Sequence, residues 1–199
     1  GLYFIEKYLL KYFSKNTVFW TILILFFGSN VLYYTAFEPA LSHQPAFLII
    51  SILLYLSSDS KRANLFLVGV LSGLLLSVRL GDAVFLIPIF YVFRKRGSAL
   101  LYIPLGAFLA YTPQLLNQKM QFNNFVNNPY LSGQNVGWQI NLLNIFKVLF
   151  SYKKGLFIWT PVFALATYGL IGNKKYTFLV SLAGGLLSAS FWPGGLSAG

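Results

Sequence analysis

Hydrophobic residues occur in blocks along this chain, and short polar or basic clusters separate the blocks. The clearest block is the charge-free run from Asn16 to Phe37, and a helix of about 20 apolar residues crosses the roughly 30 Å of hydrocarbon in a bilayer. We identify about seven such segments: 17–37, 44–57, 64–78, 83–93, 99–116, 155–172 and 176–191. The pattern predicts an all-α fold, a polytopic bundle of transmembrane helices.

Composition also indicates a membrane environment. Of the 199 residues 57% are hydrophobic and 10% are charged, whereas an average soluble domain has about 25% charged residues. A single soluble core would have to bury nearly all of 20 Phe and 13 Tyr. The absence of cysteine excludes disulfide scaffolds, iron–sulfur clusters and thiolate zinc sites. We expect one transmembrane domain over residues 1–199. Because the chain starts without methionine and stops in a loop-like run, we also expect an internal fragment of a longer membrane enzyme.

The basic residues favour one orientation of this bundle, because cytoplasmic loops carry an excess of Lys and Arg. With the N-terminus in the cytoplasm, ten of the 15 basic residues lie on that side: Lys7, Lys11, Lys15, Lys61, Arg62, Arg94, Lys95, Arg96, Lys174 and Lys175. Five lie outside, four of them in one long loop: Arg79, Lys119, Lys147, Lys153 and Lys154. The distribution agrees with the positive-inside rule.

The stretch from Leu65 to Phe93 is long enough for one helix, but we predict a short hairpin that faces outward. One crossing would place Arg79 and Asp82 near mid-membrane, at about 2.5–3.5 kcal/mol each, and would separate the flanking basic clusters. A turn at Arg79–Asp82 avoids both penalties. The arms are short for full spans, so we expect the turn below the outer surface, in a protein-lined or hydrated pocket.

The longest polar stretch, 117–154, is rich in Asn and Gln and is predicted to form one long outer loop. Within it, Asn141, Asn144 and Lys147 follow one another at a spacing of three, which places them on one helical face. This spacing indicates an amphipathic helix over 138–150 that lies in the outer interface with Trp138 as its anchor. A buried connecting helix is the alternative.

Glu38 and His43 lie in the connection between the first two predicted segments. Pro39 disfavours helical backbone at Glu38, so this carboxylate lies at a turn or a helix start, where it could position an acceptor hydroxyl, help to hold a divalent ion or cap the next helix. His43 could donate to a phosphate oxygen or bind a metal. A metal site needs three or four ligands and only one acid lies close in sequence, so no metal site is assigned.

Two further groups of charges belong to the predicted outer side. Lys153 and Lys154 precede an apolar run, where they could meet a lipid-linked phosphate or extend to the interface as ordinary snorkelling side chains. Arg79 and Asp82 could bind a substrate or could form an ion pair that holds the hairpin turn.

Common soluble motifs are absent from the sequence. There is no Walker A loop, no GxGxxG, no HExxH and no GxSxG, so nucleotide hydrolysis and the familiar hydrolase chemistries have no support. The net charge of +11 does not indicate nucleic-acid binding, because cytoplasmic loops account for ten of the basic residues.

Four short motifs, in this order, resemble those of the polytopic membrane glycosyltransferases of the GT-C type, particularly bacterial relatives of protein O-mannosyltransferases and of the lipid A aminoarabinose transferase. They are Tyr33–His43 (YYTAFEPALSH), Gly73–Arg79 (GLLLSVR), Lys154–Phe157 (KGLF) with Pro161, and Trp192–Ser197 (WPGGLS). The chain departs from the family pattern at Leu80, where proline is common, and at Ala198, where an aromatic residue is common.

The resemblance implies inverting transfer of a sugar from a polyprenyl-phosphate donor to an acceptor at the outer face of the cytoplasmic (inner) membrane. It implies that Glu38 and His43 line the donor or acceptor cavity, and that Arg79, Lys153 and Lys154 lie near the phosphate. The catalytic aspartate of such enzymes lies in an earlier outer loop, so no catalytic residue is assigned here. The expected partners are the lipid-linked sugar and membrane lipid, without a cofactor.

Two other functions agree with the pattern. A transporter or lipid flippase would also place charges such as Arg79 and Asp82 along a substrate path. However, the sequence has no visible inverted repeat and no pair of interrupted helices in matching halves, and the long outer loop favours an enzyme that works at the surface. A noncatalytic membrane subunit is the third interpretation.

Overall fold

The computed structural model describes residues 1–59, 63–125, 146, 149–152, 156–160 and 162. The chain divides into two compact units, Gly1–Tyr111 and Thr112–Gly199. Every regular element in the described part of the chain is a helix, which agrees with the predicted all-α fold.

The α-helices of the described residues are α1 (Leu2–Leu9), α2 (Lys15–Phe27), α3 (Asn30–Ala36), α4 (His43–Ser57), α5 (Leu65–Val78), α6 (Leu86–Phe93), α7 (Tyr102–Phe122) and α8 (Leu156–Trp159). Two 3-10 helices, Leu80–Phe85 and Arg94–Leu101, flank α6. Side-chain caps explain several of the starts. The Asn64 side chain, for example, accepts from the backbone N–H groups of Phe66 and Leu67 at 3.0 and 3.2 Å, which satisfies two N–H groups at the start of α5.

Glycines set the packing of α5 against α7. A Cβ added at Gly69 would meet the backbone of Ile103, and one added at Gly73 would meet the backbone of Ala107. A step of four residues along α5, from Gly69 to Gly73, therefore matches a step of four residues in the same chain direction along α7, from Ile103 to Ala107. The two helices thus run parallel. Gly106 of α7 lies equally close to the backbone of Phe66, and small residues on both sides allow this approach.

The parallel arrangement requires the chain to turn back between α5 and α7. Helix α5 ends at Val78, Arg79 has extended backbone (φ −153°, ψ 107°), and the 3-10 helix follows. A second change of direction comes at Gly97, where φ is 57° and ψ is −137°. Leu65–Phe93 is therefore not one continuous helix, and the prediction of a break at Arg79–Asp82 is confirmed. The side of a membrane that this turn faces stays a prediction.

The core of the first unit joins α4, α5 and α6. Leu53, Val68, Leu75 and Phe93 are completely buried, and Ile89 is 2% exposed. Each fully buried Leu or Phe removes enough apolar surface from water to contribute about 1.5–3 kcal/mol. This shared core holds the end of α5 beside the start of α4.

Helix α1 packs along α4 in the same direction. Gly1 lies against the ring of Phe47, whereas Nζ of Lys11 donates to Oγ of Ser58 at 2.6 Å and lies 4.8 Å from the centre of the Tyr55 ring. The sequence predicted no element here. The sequence analysis also predicted that the N-terminus lies on the same side of the membrane as Lys11. In the structure, Gly1 lies near the start of α4 and Lys11 lies near its end.

The predicted segments agree with most of the described helices. Segments 44–57, 64–78, 83–93 and 99–116 correspond to α4, α5, α6 and α7, although α7 continues to Phe122 and shortens the predicted outer loop. Segment 17–37 is divided into α2 and α3, which are bent by 60°. Ser29 explains the break, because its hydroxyl donates to the Leu25 carbonyl at 2.5 Å and accepts from the N–H of Val31 at 3.3 Å.

The described residues supply one or two helices that could cross a membrane. The helical stretch Leu80–Phe122, which the change of direction at Gly97 interrupts, is long and apolar enough. The bent pair Lys15–Phe27 and Asn30–Ala36 meets the same criterion if counted together. Helices α4 and α5, with 15 and 14 residues, are shorter. At 1.5 Å per residue they extend only about 21–23 Å. This fits a membrane protein, but the expected bundle of seven spans is not shown. Segments 155–172 and 176–191 and the helix expected at 138–150 lie largely outside the described residues.

The second unit contains the end of α7 and α8. Nζ of Lys119 donates to the carbonyl of Asn123 at 3.2 Å and lies 5.4 Å from the centre of the Phe125 ring. Asn123 has a positive φ of 53°, which ends the helix in the manner of a left-handed cap.

Candidate functional site

The candidate site is built on the break at the end of α5. The N–H of Arg79 still donates to the Leu75 carbonyl at 2.8 Å, and the Arg79 carbonyl accepts from the N–H of Asp82 at 3.1 Å. The backbone between these two bonds is extended and interrupts the helix at Arg79. The break therefore presents a guanidinium group at the helix end.

The guanidinium of Arg79 contacts the imidazole of His43. Its Nη1 atom lies 2.5 Å from Nδ1 and 3.4 Å from Nε2 of the ring. Arginine can only donate, so a hydrogen bond at the shorter contact requires Nδ1 of His43 to accept, which is the neutral tautomer with its proton on Nε2. His43 is the first residue of α4, so this contact joins the start of α4 to the end of α5.

Asp82 is a second neighbour of the same guanidinium. Its Oδ2 atom is 3.8 Å from Nε of Arg79, and the two side chains are 17% and 38% exposed. At this distance the pair is an ion pair without a close hydrogen bond. Arg79 therefore has a neutral acceptor at Nη1 and an anionic neighbour at Nε, and more than a third of its side chain is accessible.

Aromatic residues of α3 form one wall of the cluster. The ring of Tyr34 stacks on His43 with centres 4.3 Å apart and planes 23° apart. The neighbouring Tyr33 donates its hydroxyl to Oε1 of Glu38 at 3.1 Å. Beside them, Nε2 of Gln44 donates to Oγ1 of Thr35 at 3.0 Å. Helix α3 thus fixes both the imidazole plane and the carboxylate of the following loop.

The charges around His43 have opposite effects on the pKa of its imidazole. Partial burial and then the positive charge of Arg79 lower the pKa of His43 below its ordinary value of 6.5, whereas the carboxylates of Asp82 and Glu38 raise it. The net shift is downward. His43 is therefore neutral at pH 7, as the hydrogen bond from Arg79 requires.

The first unit also contains an open groove of about 490 Å³. Thr35 and Gln44, whose neighbours in sequence are Tyr34 and His43, line it together with apolar side chains that include Phe26, Val31, Pro45 and Leu48. The groove lies among α1, α2, α3 and the start of α4. The groove and the polar cluster are thus linked through neighbouring residues of α3 and α4, and the side chains of the cluster do not line the groove.

Three of the sequence-predicted site residues come into contact: His43, Arg79 and Asp82. Glu38 is coupled to His43 through its charge and is held by Tyr33. Lys153 and Lys154 lie outside the described residues. Sequence reasoning missed Tyr34, although the double tyrosine in the motif Tyr33–His43 could have indicated an aromatic wall.

No cluster of three or more His, Asp, Glu or Cys side chains that could hold a metal occurs among the described residues. Comparisons of this chain with protein family models, with curated proteins and with solved structures give no match.

Proposed function

We propose that this chain belongs to a membrane glycosyltransferase of the GT-C type, which transfers a sugar from a polyprenyl-phosphate donor to an acceptor at the outer face of the cytoplasmic membrane. The observation that carries the proposal is the contact of Arg79 with His43 and Asp82 at the end of an apolar helix. A guanidinium in this place can meet a phosphate at headgroup depth.

The chemistry of such a transfer requires a cation near the leaving group. An acceptor hydroxyl attacks the anomeric carbon, the bond from that carbon to the phosphate oxygen breaks, and polyprenyl phosphate leaves with the electron pair. Donors placed where this charge develops stabilise the transition state. The accessible Arg79 supplies such donors. Glu38, fixed by Tyr33, is the described carboxylate that we assign to the acceptor hydroxyl.

The apolar groove supports a lipid-linked substrate. Gln44, directly after His43, is one of its lining residues, and its other walls are mostly hydrophobic. We propose that an isoprenoid chain occupies this groove while its phosphate binds Arg79. We propose that the whole protein is multi-pass.

The helix directions support the proposed orientation. Because α5 and α7 run parallel, the basic cluster Arg94–Arg96 before α7 lies at the opposite end of α5 from Arg79. With this cluster in the cytoplasm, as the positive-inside rule favours, Arg79 lies toward the outside. That is the side on which polyprenyl-phosphate sugars are used by the enzymes this sequence resembles.

A transporter or flippase for a lipid-linked anion is the second candidate. The observation that favours it is the ion pair of Arg79 with Asp82 at a break between two apolar helices, since charged groups at helix breaks often mark transport paths.

Sugar transfer in isolated membranes separates these candidates. Membranes that contain the protein are given a polyprenyl-phosphoryl sugar with a labelled sugar, and both labelled product and released polyprenyl phosphate are measured. We expect both to form, and to fall strongly in Arg79→Ala and Glu38→Gln, while Lys95→Ala at the opposite end retains activity. Movement of the intact labelled lipid across the membrane without release of polyprenyl phosphate would favour the flippase.

A further inference from the structure

The orientation of the Arg79 guanidinium depends on a neutral acceptor. Arginine carries five N–H donors in a planar fork, and it binds phosphate best when two of them point at the same group. Here Nη1 lies 2.5 Å from Nδ1 of His43 and Nε lies 3.8 Å from Oδ2 of Asp82, while Nη2 takes part in neither of these contacts. Among the described residues, these two neighbours orient the guanidinium, and we assign the edge that carries Nη2 to a ligand.

His43 is itself held in place by two constraints. Its backbone starts α4, and its ring stacks on Tyr34 with centres 4.3 Å apart. The ring therefore cannot turn without losing this contact. An acceptor on a fixed ring gives a long, flexible arginine one preferred direction.

We propose that neutral His43 is a positioning residue for Arg79, which it orients through Nδ1 so that the free edge of the guanidinium receives a phosphate group. The proposal rests on the proposed function in that the phosphate is taken to belong to a lipid-linked sugar. Inorganic phosphate offers the same oxygens, so the two sources are separated by experiment.

Protonation of His43 would remove this arrangement. The imidazolium has no acceptor at Nδ1, and its charge would repel Arg79. The groups that face the ring are Arg79 and Asp82 from the end of α5 and the turn, Tyr34 from α3, and Glu38 from the loop before α4. Among these, Arg79 and partial burial lower the pKa of His43, and the two carboxylates raise it.

The positioning role differs measurably from direct phosphate binding by His43. A histidine that binds phosphate as a cation would strengthen binding when acid protonates it. If His43 instead accepts a hydrogen bond from Arg79, its protonation by acid would weaken the binding of phosphate. A phosphodiester donor keeps a single negative charge throughout this range, so the direction of the pH effect reports on the protein.

Nuclear magnetic resonance of the imidazole tests the geometry without any ligand. His43 is the single histidine of these 199 residues, and loss of its signals in His43→Gln assigns them. In ¹⁵N-histidine-labelled protein we expect the Nε2–H tautomer and a pKa below 6.5, which rises in Arg79→Gln because a positive neighbour is removed. The Nδ1–H tautomer, or a pKa that does not respond to Arg79→Gln, would overturn the proposal.

Binding then tests the consequence. The protein in nanodiscs is titrated with a polyprenyl-phosphoryl hexose and, separately, with inorganic phosphate at pH 7.5 and pH 5.5. His43→Phe keeps an aromatic ring against Tyr34 but has no acceptor, whereas His43→Gln keeps an acceptor that does not titrate. We expect His43→Phe to weaken lipid-donor binding about tenfold or more, the usual loss for a hydrogen bond to a charged group, and His43→Gln to recover most of it without a pH effect.

The outcomes separate the two claims. If the wild type binds neither lipid donor nor phosphate, the proposed function fails even where the tautomer is as expected, and the phosphate part of the inference fails with it. If the wild type binds the lipid donor but His43→Phe binds equally well, or binding strengthens at pH 5.5, the positioning role alone is overturned. Equal competition by inorganic phosphate would assign the site to free phosphate.

Discussion

The Nη1 atom of Arg79 lies 2.5 Å from Nδ1 of His43, although the two residues are 36 positions apart in the sequence. One belongs to the break after α5 and the other begins α4, so this contact ties together the adjacent ends of two helices. Because the imidazole must be neutral to accept, the contact makes the stability of this helix pair dependent on pH.

We predict that the protein becomes more stable as the pH rises from the lowered pKa of folded His43 to its ordinary value of 6.5. In this interval the unfolded chain binds more protons than the folded chain, so the free energy of unfolding increases with pH. Below the lowered pKa of folded His43, the imidazole is protonated in both states, so it no longer makes the free energy of unfolding depend on pH. Thermal unfolding in detergent between pH 5 and pH 7.5 measures it.

His43→Gln is the control for this prediction, because glutamine keeps an acceptor and does not titrate. Partial burial raises the pKa of Asp82 above its ordinary value, although Arg79 and His43 act in the opposite direction. Asp82 therefore makes the free energy of unfolding fall as the pH rises, which is opposite in sign to His43, so the contribution of His43 is the difference between the wild type and His43→Gln. A slope in the wild type that is no more positive than the slope in His43→Gln would contradict the account.

Gly69→Ala should destabilise the first unit by about 1–3 kcal/mol, the usual penalty for added volume in a packed interior. The added Cβ would meet the backbone of Ile103, which cannot move aside as a flexible side chain can. The higher helix propensity of alanine, about 1 kcal/mol, acts in the opposite direction. Thermal unfolding of the purified protein measures the difference.

The matched variant is Leu74→Ala, which changes an exposed position of the same helix. We expect a smaller loss there. If Gly69→Ala were as stable as the wild type, the close parallel packing of α5 and α7 would be wrong.

Single cysteines should report opposite membrane sides for Leu80 and Ser98. The natural chain has no cysteine, so each introduced thiol is unique, and both positions are exposed. An impermeant thiol reagent on intact cells should label Leu80→Cys and should label Ser98→Cys only after lysis. Labelling of Ser98→Cys alone would invert the orientation, and equal labelling of both would exclude a crossing between them.

The sequence was sufficient to predict the break at Arg79, because two charges at mid-membrane and two basic clusters on opposite sides are both unfavourable. It was also sufficient to group Arg79 with Asp82, three residues away. By contrast, α2 and α3 read as one apolar segment, since the hydroxyl bonds of Ser29 that divide them have no signature in hydropathy.

The contacts between distant residues were not predictable. Nothing in the local pattern places Nδ1 of His43 against Arg79 or the ring of Tyr34 on His43, because both contacts depend on how α3, α4 and α5 pack. The placement of Gly1 beside Phe47 was also not predictable from the local sequence. It follows from the packing of α1 along α4, and the charge pattern of Lys7 and Lys11 carries no information about it.

Equilibrium binding of a polyprenyl-phosphoryl sugar to Arg79→Ala and Arg94→Ala tests the central claim most directly. Both variants remove one arginine, but Arg94 lies over the Tyr91 ring at 3.5 Å, beyond α6 from the Arg79 cluster. We predict that Arg79→Ala weakens binding by about 1.5–3 kcal/mol, whereas Arg94→Ala binds like the wild type. Wild-type affinity in Arg79→Ala, or an equal loss in both variants, would contradict a phosphate site at Arg79.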